Sequence, residues 1–205
     1  MSNYLALASV TAAFGRIIAE ALERVPEPSG IPRVRFGTPQ NDPQFIGCTL
    51  FVYRISVNAF RRNDDLPVRD SDGLYVERPS VALDAEYILT FFGEEATLEP
   101  QRFLGSVLSA VHARPVLSRD EIQRMTEATP YLRGSDLGTS MQRVRLAPTV
   151  LDHHAMTQVW GTFPQIPYRL SVAYTASTVT IDSDVTPRTI PPVREVTFDP
   201  PAGPR

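Results

Sequence analysis

Apolar residues recur at three- and four-residue steps through the N-terminal segment: Leu7, Val10, Phe14, Ile17 and Ala21 fall on one line, with Ile18, Leu22 and Val25 beside it. That is the helical period, so residues 3–24 are expected to form an amphipathic helix whose stripe packs on a sheet. Pro26, Pro28, Gly30 and Pro32 then end it in a loop. The run IGCTLFVYRISVN, residues 46–58, is β-branched, aromatic and apolar almost throughout, the composition of a central strand covered on both faces. In residues 81–92, Val81, Leu83, Ala85, Tyr87, Leu89 and Phe91 share one apolar face and Asp84, Glu86 and Thr90 the other. That period-2 pattern predicts a half-buried strand.

Between these strands lie residues 59–79, AFRRNDDLPVRDSDGLYVERP, too many for a hairpin turn and too polar for a core. Loops longer than about 12–15 residues in compact domains are usually functional or disordered. Arg61, Arg62, Arg69 and Arg78 nearly balance Asp64, Asp65, Asp70, Asp72 and Glu77, while Leu66, Val68, Leu74 and Tyr75 add apolar surface that solubility alone does not require. The segment reads as a protruding arm that orders against a partner chain, the alternative being a mobile loop. The partner-binding candidates are Arg61, Arg62, Asp64, Asp65, Leu66, Arg69, Leu74 and Tyr75.

Downstream, Thr97 and Pro100 open a helix with Phe103, Leu104, Val107, Leu108 and Val111 on one face. Ser118 and Glu121 have capping-box spacing for a short helix that Pro130 ends. Val144 and Leu146 mark a short strand, after which Pro148 and Thr149 introduce a helix running to about Trp160, closed by Gly161. Tyr168, Leu170, Val172 and Tyr174 alternate with polar neighbours, but Val179 and Ile181 continue in the opposite phase, so a bulge is expected near Thr175 to Ser177. The order of elements implies an α+β fold: one domain over residues 1–185, with a mixed, largely antiparallel sheet covered by helices. Residues 186–205 are punctuated by Pro187, Pro191, Pro192, Pro200, Pro201 and Pro204 and are expected to be an extended tail that lies on a neighbour.

Composition narrows the function classes. The chain has 205 residues, 42% hydrophobic and 21% charged, which suits a folded domain with a sizeable core. A net charge of -3 argues against nucleic acid or anionic membrane as a partner. No stretch approaches the roughly 20 apolar residues of a membrane span, and the N-terminus lacks the pattern of a secretory signal. One cysteine, Cys48, excludes an internal disulfide, so synthesis and folding in the cytoplasm are expected. All the basic residues are arginine, which reflects coding bias or suits bidentate pairing with carboxylates at an interface.

The chain offers little chemistry. His153 and His154 are adjacent, so on a helix they diverge by about 100° and cannot share a metal as an i, i+4 pair would. Asp152, His153 and His154 remain the best candidates for an enzymatic reading, yet surface or interface residues explain them better. Cys48 within an apolar strand reads as a buried, inert thiol. Glu94 and Glu95 after Gly93 read as residues that solvate a turn or favour a helix start. DSDGLYVE lacks the glycine and glutamate positions of an EF-hand, and glycine patterns for nucleotides or a nucleophile elbow are missing. The residues give no reason to expect catalysis, a cofactor or a metal.

NAFRRNDDLPVRD (58–70), VALDAEYILTFFGEEATLEPQRFLGSVLSAVHARPVLSRDEI (81–122) and WGTFPQIPYRLSVAYTASTVTID (160–182) resemble the tail-terminator or cap family of extracellular contractile injection systems, phage-tail-like particles. The likeness runs over about residues 1–185. It rests on an arm ending in Asp-Leu-Pro-x-Arg, a Gln-Arg-x-Leu-Gly helix, a His-x-x-Pro-Val-Leu turn and a Pro-Tyr-Arg-Leu-Ser-Val strand. The chain departs from relatives at DHHAMTQ, where many are more acidic and lysine-rich, and many relatives have a longer C-terminal extension. The resemblance implies a structural cap: a ring of copies of this chain, six in number, seated on the last layer of inner tube and sheath and contacting both. Competing assignments are a baseplate or adaptor component of the same particle, and a stand-alone monomeric binding module.

Overall fold

The computed structural model describes residues 3–61, 80–139, 143–163 and 165–184. Helix α1 (Ala6–Leu22) leads to strand β1 (Arg33–Phe36), then β2 (Gly47–Val57) and β3 (Ser80–Phe92). Helices α2 (Glu99–Ala113) and α3 (Arg119–Ala128) follow, then two short 3₁₀ turns, β4 (Arg145–Thr149), α4 (His153–Gly161) and β5 (Ser171–Asp182). The five strands lie in the order β1-β2-β3-β5-β4, with only β1 and β2 parallel. This is the expected α+β fold with a mixed, mostly antiparallel sheet.

The stripe read along α1 is the face it buries: Val10, Phe14, Ile17, Ile18, Ala21 and Leu22 are all in the core. Phe14 meets the rings of Tyr87 and Tyr174 edge-on at 5.5 and 5.6 Å, and the Tyr87 hydroxyl lies 2.9 Å from that of Thr11. Burial pushes the Tyr87 phenol up to about 12. Helix α2 seats Phe103, Val107 and Val111 in the same core, and the capping box of α3 forms as its spacing predicted, Ser118 Oγ accepting from the Glu121 N–H at 3.2 Å while Glu121 accepts from the Ser118 N–H at 2.9 Å. Gly47 pairs with Arg33 at φ +128°, where a Cβ would fall 2.1 Å from the Arg33 carbonyl oxygen. Only glycine lets β1 approach β2 there.

Four expectations are corrected. β3 is not half-buried: from Ala85 to Phe92 every residue is buried, because α4 and the loop after it cover the second face. There Ile88, Trp160 and Phe163 form a smaller core with Phe51 and Tyr53. β2 is not covered along its whole length, since Gly47–Leu50 are buried and Arg54–Val57 are exposed. Pro148 and Thr149 do not open a helix; they pair with Tyr174 and Ala173 in β4, and α4 starts later, where Asp152 Oδ1 accepts the Ala155 N–H at 2.7 Å. An Asx cap outcompetes proline because it satisfies a helix-start N–H. The last strand begins at Ser171 and not Tyr168, whose ring packs on Trp160 at 5.2 Å. The bulge in β5 does occur, at Ser177 and Thr178, between the pairs Ala85–Ala176 and Leu83–Val179. The expected tail, residues 186–205, lies outside the described residues.

Glu99 ties the body together. Its carboxylate is buried and accepts the Ser29 N–H and hydroxyl and the Glu94 N–H, each at 2.7 Å. Gly93 makes the room, since a Cβ there would stand 2.6 Å from Glu99 Oε2. Burial raises the Glu99 pKa, but the bonds from Glu94 and Ser29 and the charge of Arg102 outweigh it, leaving the group below its ordinary value. A carboxylate lowered in the folded state stabilises above its unfolded pKa and loses that contribution as pH falls through the folded one. Glu99→Gln is therefore expected to cost about 1–3 kcal/mol at neutral pH. Below about pH 4.5, the ordinary value of the group, the variant should lose stability less steeply than the parent. Urea unfolding across that range checks this; equal acid sensitivity would contradict it.

Candidate partner interface at the distal end of the sheet

β2 and β5 both run antiparallel to β3, so the end of β2, the start of β3 and the end of β5 meet at one end of the sheet, with Val57 opposite Leu83 and Ser80 opposite Asp182. Residues 59–79 leave and re-enter the sheet here, and the C-terminal residues depart here too. Of the partner-binding candidates, Arg61 lies in the turn after β2. Arg62, Asp64, Asp65, Leu66, Arg69, Leu74 and Tyr75 fall outside the described residues, as does DSDGLYVE.

Asn58 builds the exit of the chain from β2. It is buried; its amide nitrogen donates to both Asp84 carboxylate oxygens at 2.9 and 3.0 Å, and its side-chain oxygen accepts the Phe60 and Arg61 N–H groups at 3.1 Å. This is an Asx turn anchored on the neighbouring strand, which fixes the direction in which the chain departs. Asp84 also accepts the Thr178 N–H at 3.1 Å, and Thr178 adopts φ +67° in the β5 bulge.

A second bulge, at Tyr53 of β2, lies between the pairs Val52–Tyr87 and Arg54–Glu86. An extra residue turns consecutive side chains to one face. Tyr53 and Arg54 accordingly both reach Glu86, which is 6% exposed: the Tyr53 hydroxyl donates to Oε2 at 2.6 Å, and Arg54 donates Nε at 2.8 Å and also Nη2 to Oε1. Burial and then the Glu86 hydrogen bond push the Tyr53 phenol upward, keeping it a donor. The alternation in β3 suggested that Asp84 and Glu86 face water; instead they hold a bulge on each side. Asn58 at a strand end was the available sequence signal for the turn, whereas nothing in the sequence paired Tyr53 and Arg54 with Glu86.

β1 pairs with β2 only as far as Leu50, ending with the Gly37 N–H donated to Leu50 O at 3.0 Å. Among the described residues no strand pairs with the outer edge of Phe51–Val57. Ile55 and Val57 are 47% and 56% exposed, and across β3, on the same face, Val81 is 38% exposed. The opposite sheet edge is different. Leu117 donates to Val144 O at 2.9 Å, Leu146 donates to Pro115 O at 2.7 Å, and Pro148 removes a donor from β4.

The candidates for chemistry come apart. His153 and His154 are exposed on the first turn of α4, with His154 Nε2 3.0 Å from Gln158 Nε2, and Asp152 is occupied as the cap. Cys48 is fully buried, and burial drives its thiol pKa upward. Glu95 pairs with Arg169 at 2.7 Å, and Glu94 accepts the Ala96 N–H at 3.2 Å within its own turn. Among the described residues no His, Cys, Asp and Glu cluster could hold a metal, and no helix is long and apolar enough to cross a membrane. Glu86→Ala is expected to cost about 2–3 kcal/mol by leaving the Tyr53 hydroxyl without its acceptor. Arg54→Ala should also cost about 1–3 kcal/mol, because although the guanidinium is largely exposed its loss leaves the buried Glu86 carboxylate without its charge partner. Denaturant unfolding of both variants measures the losses, and an Arg54→Ala variant as stable as the parent would contradict this assignment.

The family model described as the Pvc16 N-terminal domain matches residues 9–195. In fold the chain is similar to the sheath/tube terminator of PVC, an extracellular contractile injection system, in its extended state, with TM-score 0.58 and 15% identity over 93% of this chain and 63% of that one. It is also similar to the tube-terminating cap of the anti-feeding prophage, with TM-score 0.57 and 18% identity over 93% of this chain and 60% of that one. The chain thus spans less than two thirds of either solved chain, and no curated protein matches it. With the family model running from α1 through the whole sheet, the chain belongs to the Pvc16 N-terminal domain family.

Proposed function

We propose that this chain is a structural cap that closes the upper end of the tube and sheath of a contractile injection particle and stops their growth. The observation that carries the reading is the family match over residues 9–195, joined to a fold shared with two terminators across 93% of the chain. Tube and sheath grow because each layer leaves a non-closing surface for the next, so growth ends when a subunit matches that surface on one side and presents no copy of it on the other. Such a subunit works by shape and needs no reaction. In this reading copies form a ring, six in number, whose bodies are residues 1–185, and each copy touches sheath and inner tube.

The distal sheet end supplies the reach. Residues 59–79 act as the arm, with Arg61, Arg62 and Arg69 making charge-assisted contacts to partner carboxylates and Asp64, Asp65, Leu66, Leu74 and Tyr75 completing the contact. Residues 186–205 act as an extended tail on a neighbour. Gold-labelled antibody against the chain is expected to mark one end of purified particles, the end away from the baseplate; label at the baseplate would make the chain an adaptor instead. Replacing Arg61, Arg62 and Arg69 together by Ala is expected to leave a soluble protein with an unchanged melting temperature that no longer yields particles of uniform length. Normal particles from that variant would overturn the arm assignment.

A further inference from the structure

We infer that the outer edge of β2, Phe51–Val57, accepts as an added strand the C-terminal segment 193–199 of a second copy of this chain. The inference deepens the cap reading by naming a contact between copies, and it rests on that reading for their being gathered in one ring. An open edge with exposed apolar side chains invites another strand, and proteins usually blunt such edges with charge, proline or a cover. The β4 edge is blunted by Pro148 and covered by Pro115–Leu117, whereas the β2 edge carries exposed Ile55 and Val57.

The tail has the matching chemistry. VREVTFD, residues 193–199, is the stretch free of proline between Pro192 and Pro200, and its valines, threonine and phenylalanine favour an extended strand. In a strand, Val196 and Phe198 share a face and can lie beside Ile55 and Val57. Seven residues span about 23 Å in a strand, the length of the seven-residue edge. Residues 185–192 add at most about 28 Å of reach from the end of β5.

Topology favours a second copy over the chain's own edge. The tail leaves from β5 at the sheet end where the chain passes from β2 to β3, and β3 and β2 lie between β5 and the open edge in the strand order. Connections at one end of a sheet do not cross. Donor and acceptor are then different surfaces, so the contact is heterologous and repeats around a ring when its rotation closes.

Phe198 replaced by p-benzoylphenylalanine in the full chain, mixed with uniformly ¹⁵N-labelled chain of the same kind, tests this both in concentrated purified protein and in purified particles. Photolysis should join position 198 to residues 51–57 in peptides that pair light with heavy chains. The exposed changes Ile55→Lys and Val57→Lys together should cut that yield at least about fivefold without altering the melting temperature, because charge at an edge opposes strand addition. Crosslinks confined to one chain, crosslinks to residues 62–79 or elsewhere, or none in either preparation would overturn the inference. The cap reading fails separately: crosslinks at 51–57 from a chain that antibody places away from the particle's upper end would leave the strand contact standing and remove the cap.

Discussion

From Ala85 to Phe92 the central strand has no face left for water, and the rest of the molecule answers to that burial. On one side α1 and α2 close over Tyr87, Leu89 and Phe91; on the other, Trp160 and Phe163 close over Ile88. A polar group stranded in such a place costs about 1–3 kcal/mol, a large share of the roughly 5–15 kcal/mol that separates folded from unfolded chains. Most polar side chains along this strand are therefore matched: Tyr87 to Thr11, Thr90 to Ser171, Glu86 to Tyr53 and Arg54, while the buried Thr49 hydroxyl opposite Thr90 and the Trp160 indole N–H have no hydrogen-bond partner among the described residues. The two bulges and the anchored turn at Asn58 belong to the same accounting. They occur where β3 passes out of double cover, and there Asp84 and Glu86 absorb the irregular backbone and side chains of the strands on either side.

How far the sequence foretold this depended on whether local pattern or distant packing decided a residue's fate. α1 was legible because its stripe is long and the helical period alone identifies it. The capping box of α3 was legible because its chemistry is contained in four residues. The β5 bulge was legible because a strand cannot change phase without one. By contrast, the second face of β3 is buried by Trp160 and Phe163, some seventy residues away, and alternation cannot reveal a cover that arrives from elsewhere in the chain. Pro148 carried a helix-start signal that lost to strand pairing with Tyr174.

The candidate site divides along the same line. The sequence placed an arm between two firm strands, and its ends do leave from adjacent strand ends; yet of the eight residues named for partner contact only Arg61 stands among the described residues. Sequence reasoning missed the open half of β2, since it assigned no strand to Arg33–Phe36 and so had no measure of how far that strand would shield its neighbour. It also missed Asn58, Asp84 and Glu86 as the residues that hold the turn after β2 and the two bulges, because their partners become neighbours only when the sheet forms.

A cap differs from the subunits it stops in what it withholds: one surface matches the growing end and the other offers no next site. In the proposed reading the double-covered body meets the first requirement, and the distal sheet end, where residues 59–79 and the C-terminal residues leave the sheet, reaches neighbours. Electron microscopy of particles from cells that lack this chain tests the claim most directly, through the distribution of tube and sheath lengths. Overlong, variable or sheathless tubes are the predicted result, and particles of normal, uniform length would contradict it.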